Sequence, residues 1–284
     1  MSTKQEYSIK DLNILYIMKL WITLIVFALL FWSFGKIEQK LPEAISLNSN
    51  LKQSDSIVTM EYTLKSFSTL NVQLENKNSD VKVYLSPNSY TKAEIYGDTS
   101  EIQKIQLKQD GEILTLILDE KSSKINGHLE IHLFTPIIKN VNLFSDGYIE
   151  ITDFDNLNEL QTVISGTGEI KITSRSRFFS MIKHFNCNII GSGKIVAVGD
   201  INTEDCMLTI SGSGDIYLEL IKTKKATVII NGSGDVHLSP TESLNGVING
   251  YGRIYYYGDL LNPNVEINGC GKISRNNSHY YDKN

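Results

Sequence analysis

Residues 206–238 read CMLTISGSGDIYLELIKTKKATVIINGSGDVHL, in which the phrase GSGD appears twice, each time between aliphatic residues. Variants of it continue in both directions: SDGYI at 145, SGTGEI at 165, GSGKI at 191, NGYGRI at 249 and NGCGKI at 268. With the second glycine of each copy as a ruler, Gly147, Gly168, Gly193, Gly214, Gly234, Gly252 and Gly271 stand 21, 25, 21, 20, 18 and 19 residues apart. A period near twenty is the mark of a stacked repeat.

The columns around the ruler say what each copy builds. Four residues before it stand Leu143, Ile164, Ile189, Ile210, Ile230, Ile248 and Ile267. Two after it stand Ile149, Ile170, Ile195, Ile216, Val236, Ile254 and Ile273. Aliphatic residues at every second position put one side of a strand against a core. The position directly after the ruler reads Tyr148, Glu169, Lys194, Asp215, Asp235, Arg253 and Lys272, polar with either sign of charge, and so faces outward. Glycines between the two strand halves mark a bend that needs positive φ or close approach of neighbouring coils.

Identical positions stacked one above another predict an all-β fold, a right-handed parallel β-helix whose seven coils extend a rod by roughly 30 Å. A propeller blade needs about 40 residues per repeat, which this period does not supply. Short alternating segments at Ile57–Leu64, Leu70–Leu74, Val81–Leu85, Ala93–Tyr96, Ile102–Leu107, Ile113–Leu118 and Leu129–Phe134 predict a β-rich region ahead of the repeats. Asp110-Gly111 reads as a hairpin turn. This region is expected to cap the N-terminal end of the solenoid, because an uncovered strand edge invites aggregation.

Near the N-terminus, Leu20–Trp32 is strongly apolar; taken as Leu12–Phe34 the run has the length of a membrane span, with Lys19 able to snorkel. Two readings stand, a retained signal anchor or a cleaved secretory leader, and the anchor is the one adopted. The chain is thus parsed as a short tail (1–11), a single transmembrane or signal-anchor helix (12–35), a linker (36–56), a β-rich N-terminal part (57–140), seven repeat coils (141–275) and a disordered tail (276–284). A net charge of −5 without basic clusters argues against a nucleic-acid surface.

The phrases SGSGD and NGSGD, together with SDVKVYL (79–85), DGEILTL (110–116), YYYGD (255–259) and NGCGKI, resemble the DUF2807 family, described as the head, or GIN, domain of autotransporter adhesins and found mainly in Bacteroidetes-type bacteria. The resemblance covers roughly residues 60–275. It implies an exported all-β domain of right-handed β-helical form with an adhesin-like role. The resemblance supplies no catalytic residues. The anchor-like N-terminal run, in which the chain departs from the family, is read separately as holding that domain at the membrane of the bacterial cell envelope, outside the cytoplasm. The first copy departs from the pattern, with SDG in place of GSG, as does the long interval around 175–184.

Candidate chemistry is sparse. Calcium-binding β-rolls recur every nine residues with aspartate in each turn, whereas here Asp215 and Asp235 share a column with Lys194, Arg253 and Lys272, so no metal and no cofactor are expected. Cys187 and Cys206 read as small core residues, Cys270 as a half-exposed turn residue, and no disulfide is expected. His128 and His132 lie too far apart along a strand to chelate one ion. Three residues after the ruler come Tyr217, His237 and Tyr255 in consecutive coils, with Tyr251 and Tyr257 nearby. These five form the candidate binding face, for a surface glycan or a protein, against the alternative that they stack only on one another. The function expected is a non-enzymatic surface interaction module. The alternatives are a carbohydrate-active enzyme, which needs Glu169, Asp215 and Asp235 to converge on a cleft, and an envelope sensor.

Overall fold

The computed structural model describes residues 57–74, 81–118, 125, 129–155, 157–175 and 180–276. The chain divides into two units, Met1–Ile45 and Ser46–Asn284, and every described residue belongs to the second. The tail, helix and linker expected over 1–56 lie outside the described residues, as do His128 and residues 277–284. Among the described residues no helix is long and apolar enough to cross a membrane.

Among the described residues nineteen strands form one continuous sheet that winds as two ladders. The first ladder takes the strand before each glycine phrase: β8 (Asn140–Leu143), β10 (Leu157–Gly166), β12 (Ser180–Gly191), β14 (Ile201–Gly212), the second halves of β15 (Asp215–Gly232) and β16 (Asp235–Gly250), and β18 (Asn264–Gly269). The second takes the strand after it: β9 (Tyr148–Thr152), β11 (Glu169–Ser174), β13 (Lys194–Gly199), the first halves of β15 and β16, β17 (Arg253–Tyr257) and β19 (Lys272–Asn276). All these pairings are parallel, and the seven copies make a β-solenoid of about six turns. Around the glycine phrases register follows the ruler, Ile164 pairing with Ile189, Ile189 with Ile210, Ile210 with Ile230 and Ile230 with Ile248, and between β15 and β16 it shifts at Leu218–Lys222 and Thr223–Lys225. From Leu143 to Ile248 that column is fully buried, and so is the column from Ile149 to Ile254. The all-β repeat architecture read from the period is therefore the one observed.

In the six phrases that carry two glycines, the two do different work. Gly191, the first, has φ +124°, and a Cβ there would lie 2.5 Å from the carbonyl oxygen of Gly166 in the coil below. Gly193, the second, has no such φ; its hydrogen faces the wall of the previous coil, where a Cβ would sit 2.5 Å from Ile164 Cγ2. One position needs a left-handed backbone and the other needs absence of a side chain. Between them they let the backbone of one coil rest on that of the next, with Ser192 N–H donating to Gly166 O at 3.0 Å and Lys194 N–H to Gly168 O at 2.9 Å.

The region before the repeats joins the same stack out of sequence order. Strands β2 (Thr69–Gln73) and β3 (Val81–Pro87) form a coil that lies against β8 and β9 on one side and against β6 (Ile113–Leu118) and β7 (Leu129–Thr135) on the other, all in parallel. The coil first in sequence is thus second in space. Antiparallel strands then close the end: β5 (Ile105–Asp110) folds back on β6, while β4 (Lys92–Asp98) lies on β7 and β1 (Ile57–Thr63) lies on β4. Gly111 turns the β5–β6 hairpin at φ +56°, as Asp110-Gly111 predicts. One expectation needs correction. The strand read as Ile102–Leu107 starts only at Ile105, because Thr99–Ile102 form a single helical turn, α1, that tucks Ile102 into the core.

At the other end no such cover exists among the described residues. Ile267 is 39% exposed although it continues the fully buried isoleucine column, and β18 and β19 expose nearly every residue. Asn276, assigned to the tail in the sequence reading, is the last residue of β19.

Candidate functional site

The solenoid offers two outer sheet faces, and their chemistry differs. On the second ladder, the column after the ruler is charged. Asp235 accepts two hydrogen bonds from the Arg253 guanidinium, from Nε at 3.0 Å and Nη2 at 2.7 Å, while its own N–H donates to Asp215 Oδ1 at 2.9 Å. Glu169 stands two rungs from Asp215 with Lys194 between them, 4.0 Å from its carboxylate. The three carboxylates form a flat row rather than a cleft, and each of the two aspartates is engaged along the row.

Two positions further on, the aromatic column is assembled as the sequence suggests. His237 is sandwiched between Tyr217 and Tyr255, with ring centroids 4.8 and 4.6 Å away and planes inclined by 26° and 27°. Lys194 Nζ lies over the Tyr217 ring at 5.3 Å and Arg253 over the Tyr255 ring at 5.6 Å. His237 therefore has no open face, and each tyrosine gives one face to the histidine and holds a cation over its ring. His237 Nδ1 is 3.0 Å from the Tyr257 hydroxyl. Burial lowers the His237 pKa below the ordinary imidazole value, against the opposing pull of Asp235 and Asp215. Tyr257 is itself buried, and the same burial raises its phenol pKa. Tyr251 sits apart on the ridge of glycine turns, 72% exposed. The structure thus unites Tyr217, His237, Tyr255 and Tyr257 and leaves Tyr251 outside the group.

A second aromatic group on the same face escaped the sequence reading. Tyr84 stacks on His132 at 4.7 Å, and Tyr96 meets the same imidazole edge-on at 5.0 Å. Their strands β3, β7 and β4 are neighbours only because the stack is out of sequence order.

The first ladder's outer face carries four columns. The one nine residues before the ruler is rich in ionisable groups, with Glu159, His184, Asp205 and Lys225 on β10, β12, β14 and β15. The other three lie seven, five and three residues before it. On β12 these three are Asn186, Asn188 and Ile190; on β14, Met207, Thr209 and Ser211; on β16, Asn245, Val247 and Asn249. From β6 through β16 no Asp, Glu, Lys or Arg stands in these three columns. Within them charge returns at the ends, with Lys108 and Asp110 on β5 and Glu266 on β18. Several of the amides are tied along the axis: Asn142 Nδ2 donates to Asn71 Oδ1 at 2.8 Å, and Asn249 Nδ2 to Asn231 Oδ1 at 2.7 Å.

A cavity of about 10 Å³ beneath the corner near Phe154, Leu157 and Ser180 has room for one water molecule. Among the described residues no three His, Cys, Asp or Glu side chains gather as metal ligands. The three cysteines are unbridged; Cys187 and Cys206 are buried, and burial pushes the Cys206 thiol up to about 12, whereas Cys270 is exposed on the turn ridge.

Known proteins share this architecture. A crystal structure described as a putative adhesin from Bacteroides fragilis is 21% identical, covers 78% of this chain and 98% of its own, and superposes with a TM-score of 0.65. One described as a putative lipid binding protein from Parabacteroides distasonis gives 16%, 77%, 97% and 0.57 for the same measures, and a putative adhesin from Parabacteroides merdae gives 17%, 77%, 96% and 0.55. At these identities the likeness is one of fold. No curated protein sequence matches the chain significantly. The family described as "Putative auto-transporter adhesin, head GIN domain" matches residues 45–259, which takes in the cap and all but the last coil. On that match over more than half its length, the chain belongs to the DUF2807 family.

Proposed function

We propose that the protein is an exported, membrane-anchored and non-enzymatic interaction module of the bacterial cell envelope, adhesin-like in its action. The observation that carries this reading is the pairing of membership in an adhesin-head family with a solenoid whose two outer sheets are flat arrays. A rod of stacked coils presents the same shallow surface many times over, which suits multivalent contact. The apolar run at Leu20–Trp32 supports the anchor, with the β domain outside the cytoplasm. The coils are taken as right-handed, the sense in which parallel strands are nearly always connected. Within this reading the exposed Tyr251 and the outer edges of Tyr217 and Tyr255 meet a surface glycan or protein, while His237 and Tyr257, buried behind them, hold the column in place.

Fractionation of cells with protease shaving and N-terminal sequencing of the mature chain tests the placement. Membrane recovery, protease access from outside and an N-terminus upstream of Leu20 are expected. Recovery from the soluble cytosol overturns the reading.

A further inference from the structure

We propose that the uncharged part of the first ladder's outer face is a docking strip for an extended, neutral, β-linked polysaccharide lying along the solenoid axis. The inference rests on the adhesin-like reading and names the partner that reading leaves open.

Charge is the first argument. An exposed sheet face of an ordinary soluble domain carries charged side chains, and the second ladder of this same solenoid has them on most rungs. Eight consecutive strands of the first ladder, β6 to β16, have none in three adjacent columns, and the exclusion stops at β5 and β18 along the axis and at the column of Glu159, His184, Asp205 and Lys225 along one side. Depletion of charge at the centre with charge at the rim is the composition of a surface that is desolvated by a partner. Such a partner is uncharged as well, because an unpaired charge brought onto this face loses its water without compensation.

Donor and acceptor balance is the second. The strip is built from amides and hydroxyls, groups that both donate and accept, as Asn188, Thr209 and Asn245 do. A polysaccharide presents the same mixture in its hydroxyl groups. The amides are already ordered by their own ladders, Asn142 on Asn71 at 2.8 Å, Asn249 on Asn231 at 2.7 Å, and Asn140 on Thr69 at 3.1 Å, so little side-chain freedom remains to be lost on binding. Between them, exposed Ile190 and Met207 give apolar contact for the C–H faces of sugar rings.

Repeat length is the third. Rungs recur at strand spacing, ~4.8 Å, and eight strands extend over roughly 34 Å. The rise per sugar of an extended β-linked glycan is close to that spacing, so one residue of the polymer meets one rung, and weak contacts add along the chain. A face-to-face contact with a second copy fits the strip less well, since sheet-on-sheet packing calls for interdigitated apolar side chains and this surface is chiefly amide and hydroxyl.

The test is co-sedimentation of the full-length chain with cellulose, chitin and mannan particles, with alginate gel as the anionic comparison, at low and high salt. Two variants accompany it: Thr209→Lys at the centre of the strip and Ser274→Lys on the other ladder as a control, both checked for an unchanged melting temperature. Retention on at least one neutral polymer, insensitive to salt, is expected. Thr209→Lys should weaken it about tenfold or more, because the new ammonium must be desolvated without a counter-charge, while Ser274→Lys leaves it unchanged. Equal retention of wild type and Thr209→Lys overturns the proposal, as does retention confined to alginate and lost in salt. Self-association of the wild type that Thr209→Lys abolishes also overturns it, by making the strip a contact between copies. If the wild type promotes cell attachment and Thr209→Lys promotes it equally, the strip assignment falls while the adhesin-like reading stands; if the wild type promotes none, the adhesin-like reading itself falls.

Discussion

His237 is held with its ring between those of Tyr217 and Tyr255 and its Nδ1 3.0 Å from the Tyr257 hydroxyl, so an ionisable group sits inside a stack that excludes water from it. Its pKa in the fold lies below that of the unfolded chain, where imidazole titrates near 6.5. As pH falls through 6.5 the unfolded state takes up the proton first, and stability contributed by the neutral histidine is lost from that point down to the depressed folded value. Melting curves at neutral and mildly acid pH should therefore fall further for the wild type than for His237→Phe, which keeps the stack without the titration. Identical pH dependence in the two proteins would contradict this account.

The glycines of one phrase have unequal tolerance. Gly193→Ala places a methyl against Ile164 and the Gly168 carbonyl in a wall with no slack, and overpacking of this kind costs about 1–3 kcal/mol or more. Gly111→Ala meets nothing within 4 Å and bears only the left-handed backbone at φ +56°, about 1–2 kcal/mol. Chemical denaturation should rank Gly193→Ala as the more damaging, and the reverse order would deny that coil contact dictates the second glycine.

Thiol labelling separates the cysteines. Burial pushes the Cys187 and Cys206 thiols up, Cys206 to about 12, so neither is a thiolate at neutral pH, and only Cys270 is exposed. One equivalent of label on the native chain, and none on Cys270→Ser, is the expected result. Rapid labelling of a second thiol would mean that the coils around Cys187 open readily.

Position along the solenoid should decide the cost of truncating one and the same residue. Ile248→Ala deletes a fully buried side chain and costs about 2–5 kcal/mol. Ile267→Ala, the next rung of that column and 39% exposed, should cost a fraction of this. Equal losses in denaturant titrations would imply that the last coil is covered in solution.

The ion pair of Arg253 with Asp235 is two-pronged yet half open to water on the arginine side. Arg253→Ala is expected to lower stability by no more than about 1 kcal/mol, with the difference shrinking as salt is added.

The repeat was legible because coil stacking imposes one requirement on every copy: Ile210 must sit on Ile189 and under Ile230, so the pattern is written at each position and cannot be lost in one. The cap was legible strand by strand, from alternation in segments such as Val81–Leu85 and Ile113–Leu118, yet its pairing was not. Parallel and antiparallel partners make the same demand on a strand's inner face, and Ile131 reads the same toward its parallel partner Val83 and its antiparallel partner Ile95. The turn Thr99–Ile102 escaped because four residues are too few to show a helical period. For the candidate site, the column of Tyr217, His237 and Tyr255 was visible in spacing, whereas the contact of His237 with Tyr257 depends on side-chain reach across a rung. The uncharged strip was present in the sequence as well, but as an absence, which no motif advertises.

The coil formed by β2 and β3 has consequences for how the chain reaches its folded state. Both of its flat sides are filled by later strands, one by β6 and β7 and the other by β8 and β9, so it cannot be completed as it leaves the ribosome or a translocation channel. Assembly has a gate at about the middle of the chain, after which each glycine phrase adds one layer to a finished template. Shortening from the C-terminus should yield progressively shorter rods, whereas loss of β2 or β3 removes the surface on which the first layer is laid.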